Sequence, residues 1–439
     1  MVGAAIQRVT ARQLKLAALA LFLIYSWPGF IGWDTREHFL QSRAGHYTDG
    51  HPPAIAVLFR FTELFVAGPA PFLLMQAVSL LYGLDLILRK RLAPRAAALS
   101  ASLIFLFPFI SGVTGLIAKD CLMAGSLVLA IGLMLDDSPR RHRFALLLLL
   151  FASLMRWNAL AATFAPMILL FRWHPRFTGV RRYAIALVAW LAVTFAAYAI
   201  NEALTDEREY LWYWGYAYPD IAGTINYMPE MDDATMEKLL EGVPLVEHDN
   251  LHRRFHELYN PAKQYHLMRD KGSIFLIARN QAERDAIGAA WKRIVFGNPG
   301  AYLRYRYENF RLLVAIDRPP TFSRVYVWFN VIAAPEVIAE LDHDAAPSRI
   351  QAALIDASVA ISLSPLYYLY LYFAACLLLL PLCRKRLEIA LILSAIGYEL
   401  QWFFLAATAD LRYSQWMVIC TLVTAVLVVA RLIRRARPA

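Results

Sequence analysis

Residues 33 to 60, WDTREHFLQSRAGHYTDGHPPAIAVLFR, pack three acids, three histidines and several arginines between two apolar segments. Ionisable groups in or beside a membrane are costly, and those that persist there usually serve function. Asp34 begins an amphipathic stretch with Glu37 three residues on, the spacing of an N-cap in a capping-box arrangement. The same carboxylate, kept ionised by nearby cations, is suited to general-base removal of a proton from a hydroxyl. His38 follows one turn later on the same helical face, placed either to orient Asp34 and bind substrate or to meet solvent. Arg36 lies between them. Asp49 and His51 stand just before Pro52 and Pro53, which fix the backbone ahead of the next helix. They serve as that rigid entry or as substrate contacts.

Three cations far apart in sequence, Lys119, Arg156 and Arg412, are suited to a phosphate or pyrophosphate. Lys119 has Asp120 beside it and Arg412 has Asp410, with Tyr413 next in line, so local pairing is the plainer account of those two. Arg156, close to Asn158, has no acid nearby in sequence; a buried cation requires an anionic partner, which favours a ligand there. His248, His252 and His256 recur at four-residue spacing, a pattern able to form a metal face. Their charged and polar neighbours indicate a solvated helix instead, and no metal site is expected.

The elements that must position these groups are membrane helices. The 439 residues are 59% hydrophobic and 18% charged, with a mean hydropathy of +0.44. Soluble proteins carry about 45–50% apolar residues. Apolar runs near the ~20 residues that cross a hydrocarbon core recur toward both ends of the sequence, giving an all-α polytopic membrane protein. The net charge of +10 does not point to nucleic acid. The basic residues sit in short clusters around 89–95, 140–143, 172–182, 384–386 and 431–437, the mark of cytoplasmic loops. Cys121, Cys376, Cys383 and Cys420 lie in or beside apolar segments and read as core residues rather than a disulfide framework. Arg8, Arg12 and Lys15 precede a signal-like apolar run with no small-residue cleavage site after it, so it reads as an uncleaved first helix.

With the N-terminus inside, the first helix delivers Asp34 to the outer face. Residues 53–66 must then stay outside, lying along the interface, because a crossing there would export the basic cluster at 89–95. Crossings follow at about 71–88, 96–113 and 121–135. The roughly 28 residues between Arg143 and Arg172 would make a single span of about 42 Å. Two short helices meeting outside at Arg156, Trp157 and Asn158 keep the cluster at 172–182 inside and recess Arg156 into a cavity. A further span at about 183–200 and three more at about 364–382, 387–406 and 416–429 bring the total to about ten, with both termini inside. Residues 1–203 therefore form a transmembrane module with a first outer loop at 33–70, residues 204–350 an extracytoplasmic and mainly helical region, and residues 351–439 the C-terminal transmembrane helices. Within the outer region, residues 286–296 and 301–314 look helical, and 321–332 is aromatic enough to touch lipid. All four polar clusters then fall on the outer side, where they can meet: Asp34 to His51, Lys119 with Asp120, Arg156 with Asn158, and Asp410 with Arg412 and Tyr413.

The order of these features resembles the GT-C superfamily of membrane glycosyltransferases, among them protein mannosyltransferases and the aminoarabinose transferases that modify lipid A. WD at Trp33 and Asp34, HPPAIAVLFRF from His51, AKD at 118–120 and MRWNAL at 155–160 look like elements in family-like places. DGHPP, KD, RWN and DLRY, together with WKRIVFGNPGAYLRYRYENF from Trp291, look closer still to a poorly characterised bacterial group assigned to that superfamily. The resemblance implies a GT-C-like fold with outer interfacial helices, sited in a bacterial inner membrane with its active site facing the periplasm. It further implies inverting transfer of a sugar from a polyprenyl-phosphate carrier to an envelope glycan, lipid or protein, with no cofactor. Asp34 would be the catalytic base, and Lys119, Arg156 and Arg412 would hold the donor phosphate. Arg36, His38, Asp49, His51, Asp120, Asn158, Asp410 and Tyr413 would bind or position substrate. Many such loops carry a second acid near the first; here Glu37 and Asp49 both remain open for that place. The rival readings are a transporter or lipid-linked-sugar flippase, which also recesses ionisable groups in the membrane, and a noncatalytic factor for polysaccharide assembly.

Overall fold

The computed structural model describes residues 9–173, 176–261, 266–269, 272–317, 325 and 347–436. Among them the regular structure is helical, with three isolated β-bridges and no strand. In chain order the helices are α1 (Ala11–Ser26), α2 (Trp33–Ala44), α3 (Pro53–Glu63), α4 (Ala70–Leu88), α5 (Pro94–Phe105), α6 (Pro108–Thr114), α7 (Lys119–Met134), α8 (Pro139–Met155), α9 (Ala159–Leu170) and α10 (Gly179–Leu204). There follow α11 (Tyr218–Asn226), α12 (Asp233–Leu239), α13 (Leu251–Leu258), α14 (Gln281–Gly297), α15 (Pro299–Leu313), α16 (Arg349–Ile361), α17 (Leu369–Leu379), α18 (Arg386–Leu405) and α19 (Gln415–Ala436). They belong to two compact units, one of residues 1–207, 323–399 and 412–439, the other of residues 208–322 and 400–411.

Four segments among the described residues are long and apolar enough to cross a membrane: Ala70–Leu88, Gly179–Leu204, Arg386–Leu405 and Leu411–Ala436. This is the character of a multi-pass membrane protein. Four expected crossings take another form: the first helix, α1, has 16 residues, the one at 364–382 is the short apolar stretch Leu369–Leu382, and those at 96–113 and 121–135 are a bent pair and a short helix. Residues 96–113 are not one rod but α5 and α6, bent by 68°. Pro108 lacks an N–H and forces the residue before it out of the helical region, and Phe107 accordingly sits at φ −56°, ψ 128°. Counting that bent pair as one span gives five. At 16 residues, α7 reaches only about 24 Å at 1.5 Å per residue, short of the hydrocarbon thickness. The expected break between α8 and α9 is present: Arg156 is extended at φ −146°, ψ 130°, and α9 begins after Asn158.

In the first unit, α4 and α7 approach backbone to backbone through glycine, the small-residue packing that lets apolar helices gain contact where no water drives them together. A Cβ on Gly83 would stand 2.6 Å from the backbone nitrogen of Leu129, and one on Gly125 2.9 Å from the Gln76 carbonyl oxygen. Along α10 only Ala186, Ala197 and Asn201 are buried, so one narrow face meets protein and the apolar remainder lies open. All four cysteines are buried free thiols.

The second unit packs its own core around Tyr218, Ile221, Phe255, Phe275 and Ile287, with the rings of Tyr218 and Phe275 stacked at 4.0 Å. At its centre Arg306 is ion-paired to Asp220, which also accepts from Trp291 Nε1 at 2.8 Å. The remaining reach of Arg306 goes to the Ala406 carbonyl and the Tyr302 hydroxyl. Burial raises the Asp220 pKa, with Arg306 and the Trp291 bond opposing it. The helices expected near 286–296 and 301–314 are α14 and α15, whereas 321–332 lies outside the described residues apart from Val325.

Because the Gly83 contact is with backbone, α4 cannot accommodate a side chain there by rotamer change. Gly83→Ala should therefore lower thermal stability in detergent by about 1–3 kcal/mol. A melting temperature equal to that of the parent protein would show that the two helices separate freely.

Candidate functional site

Asp34 stands in the first turn of α2, where the exposed N–H groups of the helix favour a carboxylate. Its position is set by the residues before and after it. Phe30 forms a parallel bridge with Leu116: its N–H donates to Gly115 O and its carbonyl accepts from Ile117 N, both at 2.9 Å. Thr35 Oγ1 donates to Ile117 O. The chain is thus clamped to residues 115–117 on both sides of Asp34, and two residues further on α7 opens with Lys119 and Asp120.

Buried amides hold the other side of that clamp. Gln76 on α4 donates to the carbonyls of Thr114 and Leu116, and Gln415 at the start of α19 donates to Thr114 Oγ1 at 2.9 Å. The 3₁₀ turn before α19, Leu411–Ser414, carries Arg412 and is secured by Ser414 Oγ donating to Glu399 Oε1 at 2.7 Å. Asn201, fully buried on α10, accepts from Ala54 N just after the Pro-Pro pair and donates to Leu154 O at the end of α8, both at 3.1 Å. One side chain therefore ties the approach to His51 to the approach to Arg156.

These supports bring distant charges together. Asp34 Oδ2 accepts from Lys119 Nζ at 2.7 Å and from Arg412 Nη2 at 2.8 Å. His51 Nδ1 is 2.9 Å from the same Lys119 Nζ, and His51 Nε2 is 3.8 Å from Asp34 Oδ1. A lysine ammonium only donates, so Nδ1 accepts and the imidazole proton sits on Nε2, facing Asp34. Arg156 is ion-paired to Asp120 and donates through Nε to Asn158 Oδ1 at 3.1 Å. Arg412 Nε lies 3.7 Å from Asp120 Oδ2, which joins the two halves. The Tyr413 ring lies beneath both guanidinium groups, 5.0 Å from that of Arg156 and 5.6 Å from that of Arg412. His38 is buried edge-on to His51, with ring centroids 5.0 Å apart, and its Nε2 has no hydrogen-bond partner among the described residues.

The pairings differ from those adjacency predicts. Asp120 serves Arg156 rather than its neighbour Lys119, so Arg156 has the acid that its own surroundings in sequence lack. Three further expected residues make contacts of their own. Asp49 donates its backbone N–H to Glu207 O at 3.3 Å, and Arg36 pairs with Glu37 at 2.9 Å beside the Trp33 ring. Asp410 belongs to the other unit, where its N–H donates to Thr408 O. Sequence reasoning missed Thr35, Gln76, Asn201 and Gln415; for the three amides the available signal was a lone polar side chain in a largely apolar helix, and for Thr35, in the polar helix α2, there was none. Of the three spaced histidines, His252 and His256 lie on α13, and His248 contacts Glu237. Among the described residues no group of three His, Cys, Asp or Glu side chains is placed to hold a metal ion.

Exposure is uneven across the cluster. The side chains of His51 and Asp34 keep 33% and 20% of their surface, while Arg412, Lys119, Arg156 and Asp120 keep 11%, 8%, 8% and 3%. Anything approaching the cations meets the acid and the imidazole first. Burial would raise the Asp34 pKa, but Arg412, then Lys119 and His51, hold it well below the usual carboxylate range. Burial and the Lys119 cation push His51 down to about 3 against the pull of Asp34. His38 is lowered well below its ordinary value, again chiefly by burial and then by His51 and Lys119. Asp34 is an anion and both imidazoles are neutral at pH 7.

The sequence matches no family model, no curated protein and no solved structure.

The depressed His51 pKa has a consequence for acid stability. Between the ordinary value of 6.5 and about 3, the unfolded chain binds a proton that folded His51 refuses. This contribution is complete above pH 6.5 and is lost as pH falls toward 3. The thermal midpoint in detergent should drop between pH 7 and pH 4, and His51→Gln should flatten the drop. An unchanged slope in the variant would show that His51 takes up its proton freely in the fold.

Proposed function

We propose that this protein is a GT-C-type membrane glycosyltransferase that moves a sugar from a polyprenyl-phosphate carrier to an acceptor hydroxyl on a glycan, lipid or protein. The observation that carries the reading is the meeting of Asp34 with Lys119 and Arg412. A carboxylate and two cations from three remote parts of the chain share one partly open site, with the Asp120–Arg156 pair joined behind it. A general base beside phosphate-binding cations is what glycosyl transfer from a phosphate ester requires. The resemblance in the first outer loop, the KD pair and the RWN turn supports the same class.

In this reaction Asp34 takes the proton of the acceptor hydroxyl as its oxygen attacks the anomeric carbon from the face opposite the phosphate. The bond from anomeric carbon to phosphate oxygen breaks, its electron pair leaves with the phosphate, and the configuration inverts. Lys119, Arg412 and Arg156 stabilise the charge that grows on the leaving group. His51, its Nε2–H directed to Asp34, and His38 behind it keep the carboxylate oriented; Asp120, Asn158 and Tyr413 keep the guanidinium groups in place. Arg36 and Asp49 complete the substrate contacts from the margins. The chemistry calls for no cofactor, since side-chain cations supply the positive charge. In the proposed GT-C-like topology of about ten spans with both termini inside, this site would face the periplasm, a long prenyl tail staying in the bilayer while its headgroup reaches the cations.

The decisive assay is sugar transfer from a defined polyprenyl-phosphate donor by the full chain in liposomes. Asp34→Asn should fold and elute as the parent protein does, yet lower kcat by about 10²–10⁴-fold, the usual contribution of a general base. Scrambling of the lipid-linked sugar across the bilayer with no transfer, or full activity of Asp34→Asn, would remove the glycosyltransferase reading.

A further inference from the structure

The resting site presents a difficulty that its geometry also resolves. The single oxygen Oδ2 of Asp34 receives both Lys119 and Arg412, at 2.7 and 2.8 Å. An acid so engaged is a poor proton acceptor, and the cations that should receive the donor phosphate are turned toward the base. We propose that Asp34 occupies the place of the donor phosphate on Lys119 and Arg412, and that the arriving phosphate exchanges with it, releasing the carboxylate to act as base. This rests on the glycosyltransferase reading and adds an order to it: donor before acceptor.

Three features support the exchange. Both cations meet Asp34 through the same oxygen, so one change of the Asp34 side-chain rotamer frees both, and a phosphate with several acceptor oxygens can take a hydrogen bond from each. The second acid does not compete in the same way: Asp120 is almost fully enclosed and committed to Arg156, so it stays behind when Asp34 turns. Asp34 instead has somewhere to go, because it is the more exposed acid and its Oδ1 already faces His51 Nε2 at 3.8 Å. Losing Lys119 and Arg412 as direct partners leaves burial as the main influence on the carboxylate, and burial raises its proton affinity toward the range useful to a base. Hydrolysis is restrained by the same device, since without a donor phosphate the base stays bound.

Binding of polyprenyl monophosphate to the purified full chain tests the exchange without needing turnover. Removing a competing carboxylate should make Asp34→Asn bind this lipid more tightly than the parent protein, by about tenfold or more, and Lys119→Ala should abolish the gain. Equal or weaker binding by Asp34→Asn would overturn the exchange while leaving the glycosyltransferase reading intact. If neither protein binds the lipid, that reading and this inference both fall. A second measurement uses the unmutated chain: carbodiimide coupling at Asp34, followed by peptide mass analysis. Coupling should rise on adding polyprenyl monophosphate, and unchanged or reduced coupling would overturn the exchange even were Asp34→Asn unable to fold.

Discussion

Five charged groups share a small, largely enclosed space around Asp34, and the desolvation of those charges governs what the surrounding helices must do. Each buried ion costs several kcal/mol of lost hydration, recovered only when partners are placed well, and removing one member of such a pair typically costs about 3–5 kcal/mol. Lys119 and Asp120 both begin α7, where the helix dipole welcomes the acid and opposes the cation. Lys119 is therefore viable there because Asp34 comes to it. The contact depends on the bridge between Phe30 and Leu116 and on the hydroxyl of Thr35, which fix where α2 begins. Electrostatics in the site are thus set by backbone hydrogen bonds made a few residues away.

Neutral amides carry much of this placement. Gln76, Gln415 and Asn201 each link segments remote in sequence: Gln76 and Asn201 bond to loop or helix-end backbone, and Gln415 donates to the Thr114 hydroxyl. An amide suits the task because it offers donors and an acceptor without a charge to neutralise. A charged residue in the same place would join the ion-pair network and alter the field at Asp34.

The parts of this arrangement legible in the sequence are those encoded locally. The break at Arg156 to Asn158 follows from the length of the apolar stretch around a charged interruption, and the entry to α3 follows from Pro52 and Pro53. Asp34, Lys119, Arg156 and Arg412 draw attention singly because a charge beside apolar runs is conspicuous. Partner choice is not local. Asp120 pairs across to Arg156 instead of with adjacent Lys119, since neighbouring residues on a helix point in different directions. The bend at Pro108 was available from the residue type and was outweighed by the apolar run on either side. Asn201, Gln76 and Gln415 stayed hidden because nothing in a helical pattern says which solitary amide turns inward.

The buried pair in the second unit clarifies what separates a supporting ion pair from a working one. Asp220 and Arg306 keep 4% and 3% of their side-chain surface; the acid is shared between Arg306 and Trp291, and the guanidinium also reaches Tyr302 and the Ala406 carbonyl. Enclosed on all sides, such a pair has no route by which a ligand could replace either member, and its effect is to fix α11 against α15. Around Asp34 the acid is the exposed member and the cations are the buried ones. Replacing the exposed member by another anion leaves the desolvated cations compensated, so exchange costs far less than loss. An ion-pair network that is closed behind and replaceable in front would remain folded through the proposed exchange, in which its central carboxylate changes partners.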